Sequence, residues 1–349
     1  MKEMLLYDRN GQVWTPRGCL GSADEYSVRE RMNALGADQN ITTLTELLPQ
    51  VYQQKYLQYD LSNYVPIMVG QGNPYMSQLF NWAIGINGTD FEAGLAQMAS
   101  ADSNIYNDDI AVEPIFRDVT TWIKNVQVNT LEQGIFDAGT GNMDLLAEKL
   151  KARKKEYDLG IQKTTFLGLK SAPTKFGGLL TQSDVTDNTT LVTKTLASMT
   201  DAEFLTFAKG FVKAFQENCN YTAYPTRFVV PETDLTAMKT SFISGTYPLA
   251  GSTKYEVLLN MGKSFTPDFE ILGCVYCQPE FNKEYLNVGT GKTRYALYNH
   301  DADTINLQIP IDFTVTLPYQ LGIKSVSTAY SRFSGVKAMR NKELLYFSF

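Results

Sequence analysis

Between residues 63 and 110, Pro66, Gly70, Gly72, Pro74, Gly85, Gly88 and Gly94 interrupt every regular pattern, yet the same stretch carries Tyr75, Phe80, Trp82, Ile84 and Phe91. Aromatic side chains bring large apolar surface that must be buried somewhere. A loop this long has no body of its own in which to bury it. Two readings stay open. The stretch lies across its own domain, or it projects as a hairpin and buries Tyr75, Phe80, Trp82 and Phe91 against a neighbouring subunit. Under the second reading the molecule is finished only in an assembly.

Little in the composition serves catalysis. The chain has 349 residues, 44% hydrophobic and 19% charged, with one histidine, four cysteines and a net charge of −6. At about 100–200 residues per domain, that length makes two or three structural units, and the apolar content is ordinary for a globular protein. The acidic balance argues against a surface built to neutralise many phosphates. Cys19, Cys219, Cys274 and Cys277 are too sparse for a disulfide scaffold in a chain this large. The opening Met1–Asp8 sets charges on both sides of a very short apolar patch, unlike the apolar core of a secretory signal. No run approaches a membrane span. The Asn-x-Ser/Thr strings at Asn40, Asn87, Asn188 and Asn220 are therefore chance matches, and the expectation is a soluble protein made in a reducing cytoplasm.

Short motifs yield no active site. Gly289-Thr290-Gly291-Lys292-Thr293 ends like a phosphate-binding loop, but Leu286 stands at the first glycine position and a strand pattern, Arg294 to Tyr298, follows. A hairpin turn accounts for it better. Cys274-Val275-Tyr276-Cys277 has the spacing of half a zinc site without a second pair. In an extended strand the two thiols would point to opposite faces, so they read as buried free thiols. His300 lies among Asn299 and Asp301 on a turn with no nucleophile beside it, which reads as a surface histidine. Asp108-Asp109 sits on a polar connection and reads as solvated.

Local patterns elsewhere are regular. Residues 1–60 hold turn signals and one charged helical candidate over 24–35, with Glu25 four residues before Arg29; this resembles an arm more than a domain. Residues 118–131 read as a strand. A helix over about 142–159 sets Met143, Leu146, Leu150 and Tyr157 on one stripe and Lys149, Lys151, Arg153, Lys154 and Lys155 on the other face. Thr200-Asp201-Ala202-Glu203 is a capping box, and Phe204, Ala208, Phe211, Val212 and Phe215 follow at intervals of three and four. Short strands at 227–231 and 270–276, helices at 232–241 and 255–259, and strands at 294–298, 305–313, 325–330 and 344–349 complete the chain. Helices and strands mix without strict alternation, so the fold class is α+β.

That order of elements resembles the major capsid proteins of tailed double-stranded DNA bacteriophages, the HK97-type fold. Thr164-Thr165-Phe166-Leu167-Gly168 followed by Phe176-Gly177-Gly178-Leu179-Leu180 is similar to the connection after the long helix in many of them. Tyr295-Ala296-Leu297-Tyr298, the run from Ile305 to Phe313, Leu317-Pro318 and Ser334-Gly335-Val336 look like the closing strands of a phage capsid family. The likeness covers about residues 110–349; the front matches in character only. It implies an N-terminal arm over 1–62, an extended loop (E-loop) over 63–112, a peripheral domain over 113–195 and 300–330 containing the spine helix, and a mixed axial domain over 196–299 and 331–349.

The function implied is a structural, non-enzymatic protein that self-assembles into an icosahedral head shell around phage DNA, with no cofactor and no metal. Implied partners are the chain itself, in hexamers and pentamers, a portal and decoration proteins, and no membrane. Many such proteins carry a charged helical scaffolding segment at the N-terminus. None is evident here, which implies a separate scaffolding protein or assembly without one. The shell would be assembled in the host cytoplasm and end in the virion. Lys151, Arg153, Lys154 and Lys155 are the residues that could touch packaged DNA, weakly and without sequence preference. Three rivals remain: an encapsulin-like nanocompartment, which resembles the same fold, a soluble α+β enzyme with an unfamiliar site, and a minor virion protein, which copy number would distinguish.

Overall fold

A computed structural model of the chain describes residues 6–7, 13–15, 18–19, 55–70, 78–86, 110–134, 144–244, 251–285 and 292–349; at 6–19, 80–86 and 110–114 the description is of backbone alone. The helical candidate at 24–35, the turn at 286–291, Tyr75 and Phe91 lie outside the described residues. Two compact units result: residues 1–56, 124–155 and 316–328 form one, and residues 57–123, 156–315 and 329–349 form the other.

Near the N-terminus, β1 (Leu6–Tyr7), β2 (Val13–Thr15) and β3 (Gly18–Cys19) make a small antiparallel sheet. Then come β4 (Ile67–Val69), β5 (Gln78–Ile86) and β6 (Ile110–Asn129), followed by the long helix α1 (Leu145–Leu167). The middle of the chain supplies β7 (Thr186–Asp187), α2 (Asp201–Asn218), β8 (Arg227–Val230), α3 (Glu232–Thr240), α4 (Lys254–Lys263), β9 (Glu270–Gly273) and α5 (Pro279–Asn282). Strands close it: β10 (Arg294–Tyr298), β11 (Ile305–Ile309), β12 (Ile311–Val315), β13 (Tyr319–Leu321), β14 (Lys324–Ser334), β15 (Lys337–Ala338) and β16 (Leu344–Ser348).

The larger unit is organised by a mixed five-stranded sheet in the order β7-β16-β10-β8-β9. Every residue of β10 and β16 is buried, which is what a continuous apolar run does when both faces of a sheet are covered. The two-residue period divides them. Tyr295, Leu297, Phe228, Leu345 and Phe347 join Phe204, Phe207, Phe211 and Phe215 of α2 in one core, while Ala296, Tyr298, Val229, Leu344 and Tyr346 join Phe166, Leu179 and Tyr64 in a second. The capping box holds as the sequence predicts: the Glu203 carboxylate accepts from the Thr200 amide at 2.8 Å.

The helix expected over 255–259 and the strand expected over 325–330 run longer, to Lys263 and Ser334, and four further boundaries differ for a local reason. The spine helix does not stop near 159. It runs to Leu167, because Thr164 and Thr165 turn their hydroxyls back onto the carbonyls of Gly160 and Ile161 at 2.9 and 2.8 Å, which accommodates β-branched residues inside a helix. Gly168 then ends it at φ +79°. The strand expected from 118 begins at Ile110, where it pairs antiparallel with β5 over Gln78–Ile86. The strand expected over 305–313 is broken at Pro310, which has no amide to donate: β11 pairs parallel with β4 and antiparallel with β15, whereas β12 joins β14 in the sheet β12-β14-β6-β5.

The last concerns the cysteines. β9 ends at Gly273, and Val275–Cys277 is a 3-10 turn. Residues three apart eclipse in that geometry, so Cys274 and Cys277 do not face opposite ways. Both are fully buried in one core cluster.

Candidate functional site

Candidate chemistry in the sequence turns out to be structural. His300 is half-buried rather than a surface residue; its Nε2 lies 3.0 Å from the Ser62 carbonyl and its amide donates to Thr226 Oγ1 at 2.6 Å. Burial lowers its pKa. Beside it opens a recess of about 370 Å³ whose charged lining is Arg227 and Glu270, paired at 3.4 Å, together with Lys263 and Asp268. Burial and the neighbouring Cys274 push the Cys277 thiol well up, which leaves it a protonated core residue rather than a nucleophile. Among the described residues no three His, Cys, Asp or Glu side chains converge to hold a metal ion, and no helix is long and apolar enough to cross a membrane.

What the larger unit does present is an antiparallel hairpin, β5 with β6. Phe80 stands opposite Phe116 and Trp82 opposite Pro114 in its register, with β5 at the sheet edge. Its base is moored inside the unit. Tyr64, just before β4, donates to the Gly273 carbonyl at 2.6 Å and accepts at its own carbonyl from Tyr298 at 2.6 Å. Tyr59, Tyr64 and Phe166 meet edge to face. Residues 57–65, which the sequence assigned to the arm's end and the loop's start, are therefore tied to the core.

Within the smaller unit, the basic run on α1 does not act as one face. Lys151 and Lys154 are exposed, and Lys155 lies over the Tyr56 ring at 4.4 Å. Lys151 pairs with Glu148 at 2.6 Å. Arg153 departs from the expectation: it is 2% exposed and donates to the carbonyls of Ser327 and Lys124 at 2.7 and 3.2 Å. The helix period turns it inward, where Nη1 donates to two carbonyls and Nη2 to the Ser327 hydroxyl at 3.2 Å. It is a buried strut and not a group that can face DNA.

A third surface was missed in the sequence. Residues 316–323, Thr-Leu-Pro-Tyr-Gln-Leu-Gly-Ile, carry no charge and lead through β13 and a Gly322 turn (φ +61°) into β14. Leu317 is 88% exposed, Leu321 65% and Ile323 60%. The tip is held by Thr130, whose amide and hydroxyl donate to the Ile323 carbonyl at 2.9 and 3.0 Å. Contiguous exposed apolar side chains of this kind mark a contact surface rather than a solvated turn. The uncharged run was the available signal, but alternation alone does not say which face is covered.

The family model described as major capsid protein matches residues 94–348 of the chain. The chain belongs to the major capsid protein family. Its fold agrees: the capsid of Myoviridae phage XM1 superposes with a TM-score of 0.69 at 14% identity, covering 88% of this chain and 97% of that one. The mature capsid of bacteriophage PhiM1 superposes at 0.53 with 8% identity over 87% and 91% of the two chains. The capsid of cyanophage P-SCSP1u does so at 0.51 with 8% identity over 88% and 93%. No curated protein matches. This capsid protein has the α+β HK97-type fold and is a structural subunit of a capsid shell.

Proposed function

We propose that this capsid protein works without catalysis, tiling hexamers and pentamers into a closed shell around phage DNA. Residues 1–62 and 63–112 act as the reaching arm and E-loop, residues 113–195 and 300–330 as the peripheral domain, and residues 196–299 and 331–349 as the axial domain. The observation that carries the reading is the exposed, uncharged hairpin over 316–323, which a solitary soluble protein would not keep. Tyr75, Phe80, Trp82 and Phe91 serve as anchors in neighbouring subunits. A separate scaffolding protein, a portal and decoration proteins complete the assembly, which takes place in the host cytoplasm. An encapsulin-like compartment, the other shell reading, is not better supported.

The test is Leu317→Glu with Leu321→Glu. Burying a leucine contributes about 1.5–3 kcal/mol, and each 1.4 kcal/mol is about tenfold in association. Closed particles seen by electron microscopy should therefore disappear, while the subunit's melting curve stays where it was, because neither side chain touches its core. Normal particles from this variant would remove the hairpin from the lattice contacts.

With Arg153 withdrawn, the groups proposed to meet DNA are Lys151, Lys154 and Lys155. Reversing all three to Glu should let packaged DNA escape at lower salt, since fewer phosphate contacts are made. Unchanged DNA retention would show that this helix face does not look inward.

A further inference from the structure

The recess beside His300 holds an amine and a carboxylate that the subunit itself does not use. Arg227 is committed: its Nη2 pairs with Glu270 at 3.4 Å and its Nη1 donates to the Asp268 carbonyl at 2.7 Å. The Lys263 amine and the Asp268 carboxylate belong to the same wall, are exposed, and have no partner among the described residues. Two cations and two anions cancel, so the recess offers no net field to an anion, and Asp268 and Glu270 would repel a phosphate. Its volume of about 370 Å³ falls within the range of small-molecule sites.

Flat aromatic surface flanks this recess. Tyr224, two residues before Thr226 of the lining, stacks on Phe265, two residues after Lys263, with ring centroids 6.2 Å apart and planes 22° from parallel. The other stacked pairs among the described residues, Phe166 with Tyr276 and Phe207 with Phe211, pack in the two cores. Tyr224 and Phe265 are instead 48% and 52% exposed. Neither ring hangs on a loose turn. After α2, the Tyr221 amide donates to the Gln216 carbonyl at 2.8 Å and the Thr222 hydroxyl to the Cys219 carbonyl at 2.6 Å. After α4, the Phe265 amide donates to the Gly262 carbonyl at 3.1 Å and the Ser264 hydroxyl to the Met261 carbonyl at 2.6 Å. A platform fixed in advance avoids much of the ordering cost of binding.

Few ligands suit both halves. A purely apolar molecule leaves Lys263 and Asp268 unanswered, and a nucleic-acid strand asks for a cationic groove. Lysine can only donate and a carboxylate only accept, whereas a sugar hydroxyl does both, and the C–H face of a pyranose packs on the electron-rich face of an aromatic ring. We propose that the recess bounded by Tyr224, Phe265, Lys263 and Asp268 is a binding site for a neutral carbohydrate. Such a site goes beyond the shell reading and does not depend on it.

Saturation-transfer NMR on the full-length protein, as subunits and as assembled particles, tests this with maltohexaose, cellohexaose and chitohexaose as probes and decathymidylate as the phosphate-bearing control. Transfer to at least one of the three sugars in both forms, and none to the control, is the expected result. Tyr224→Ala/Phe265→Ala should abolish it. Asp268→Ala and Lys263→Ala should each weaken binding about tenfold in a calorimetric titration, the loss of one hydrogen bond to a charged group. Absence of transfer to all three sugars, or equal binding by the variants, would overturn the proposal. Transfer to decathymidylate in place of the sugars would make the rings a nucleic-acid platform and overturn it too. So would binding to subunits that vanishes in particles, since the face would then be covered by a second copy. If the double variant unfolds, as seen by circular dichroism, the two single variants decide. Particle yield, counted separately by electron microscopy, bears on the shell reading alone.

Discussion

A chain lacking residues 73–103 should form no closed particles, yet remain a soluble, folded subunit. The deletion removes β5 and most of the connection to β6. β5 is the edge strand of its sheet, so its loss uncovers one side of β6. The anchoring residues Tyr59 and Tyr64, and β4 itself, lie before the cut and keep their partners. Cooperative melting close to that of the full chain, together with an empty field in negative stain, is the expected pair of results. Particles of normal size would mean that the hairpin is not what binds neighbours; an unfolded product would mean that β5 is part of the subunit's own stability.

Gly178→Val should destabilise the subunit by about 3 kcal/mol or more, among the larger effects of a single substitution. A Cβ at 178 would lie 2.5 Å from backbone atoms of Phe166, Leu167 and Gly168. Those atoms belong to the helix end, where the Leu179 and Leu180 amides donate to the Thr165 and Phe166 carbonyls at 2.8 and 2.9 Å. The chain there folds back onto the last turn of α1, and backbone cannot yield as a side-chain tip can. Gly160→Ala is the matched control: nothing lies within 4 Å of that position, so removing a glycine from a helix interior should add about 0.5–1 kcal/mol. Urea denaturation of the two variants checks both signs in one experiment.

This pair also shows what could be read from residues alone. The string from Thr164 to Leu180 was visible as a motif, but its meaning is a contact between two backbones, which no periodicity reports. Where the controlling interaction is local, the reading is good. The box at Thr200 and the aromatic stripe from Phe204 to Phe215 state both the start and the buried face of α2. The strands β10 and β16 were equally plain, because burial on both faces leaves an unbroken apolar run.

Where the outcome depends on a distant partner, the reading falls short. Arg153 sits in a run of lysines and looks solvated, yet Ser327, far along the chain, supplies the carbonyl that draws it inside. Leu317 and Leu321 alternate like any half-buried strand, although both are exposed. Cys274 and Cys277 looked opposed only while the strand was assumed to continue past Gly273.

The mooring of Tyr64 has a mechanical consequence. A pull carried along β4 reaches the body through its bonds to β11, which run in a parallel ladder from Ile67 to Val69. Load along that strand shears all of its bonds at once instead of unzipping them singly. The phenol of Tyr64 then acts as a stop behind the ladder. A container swollen by its contents would thus strain each tile along a line that ends in this ladder.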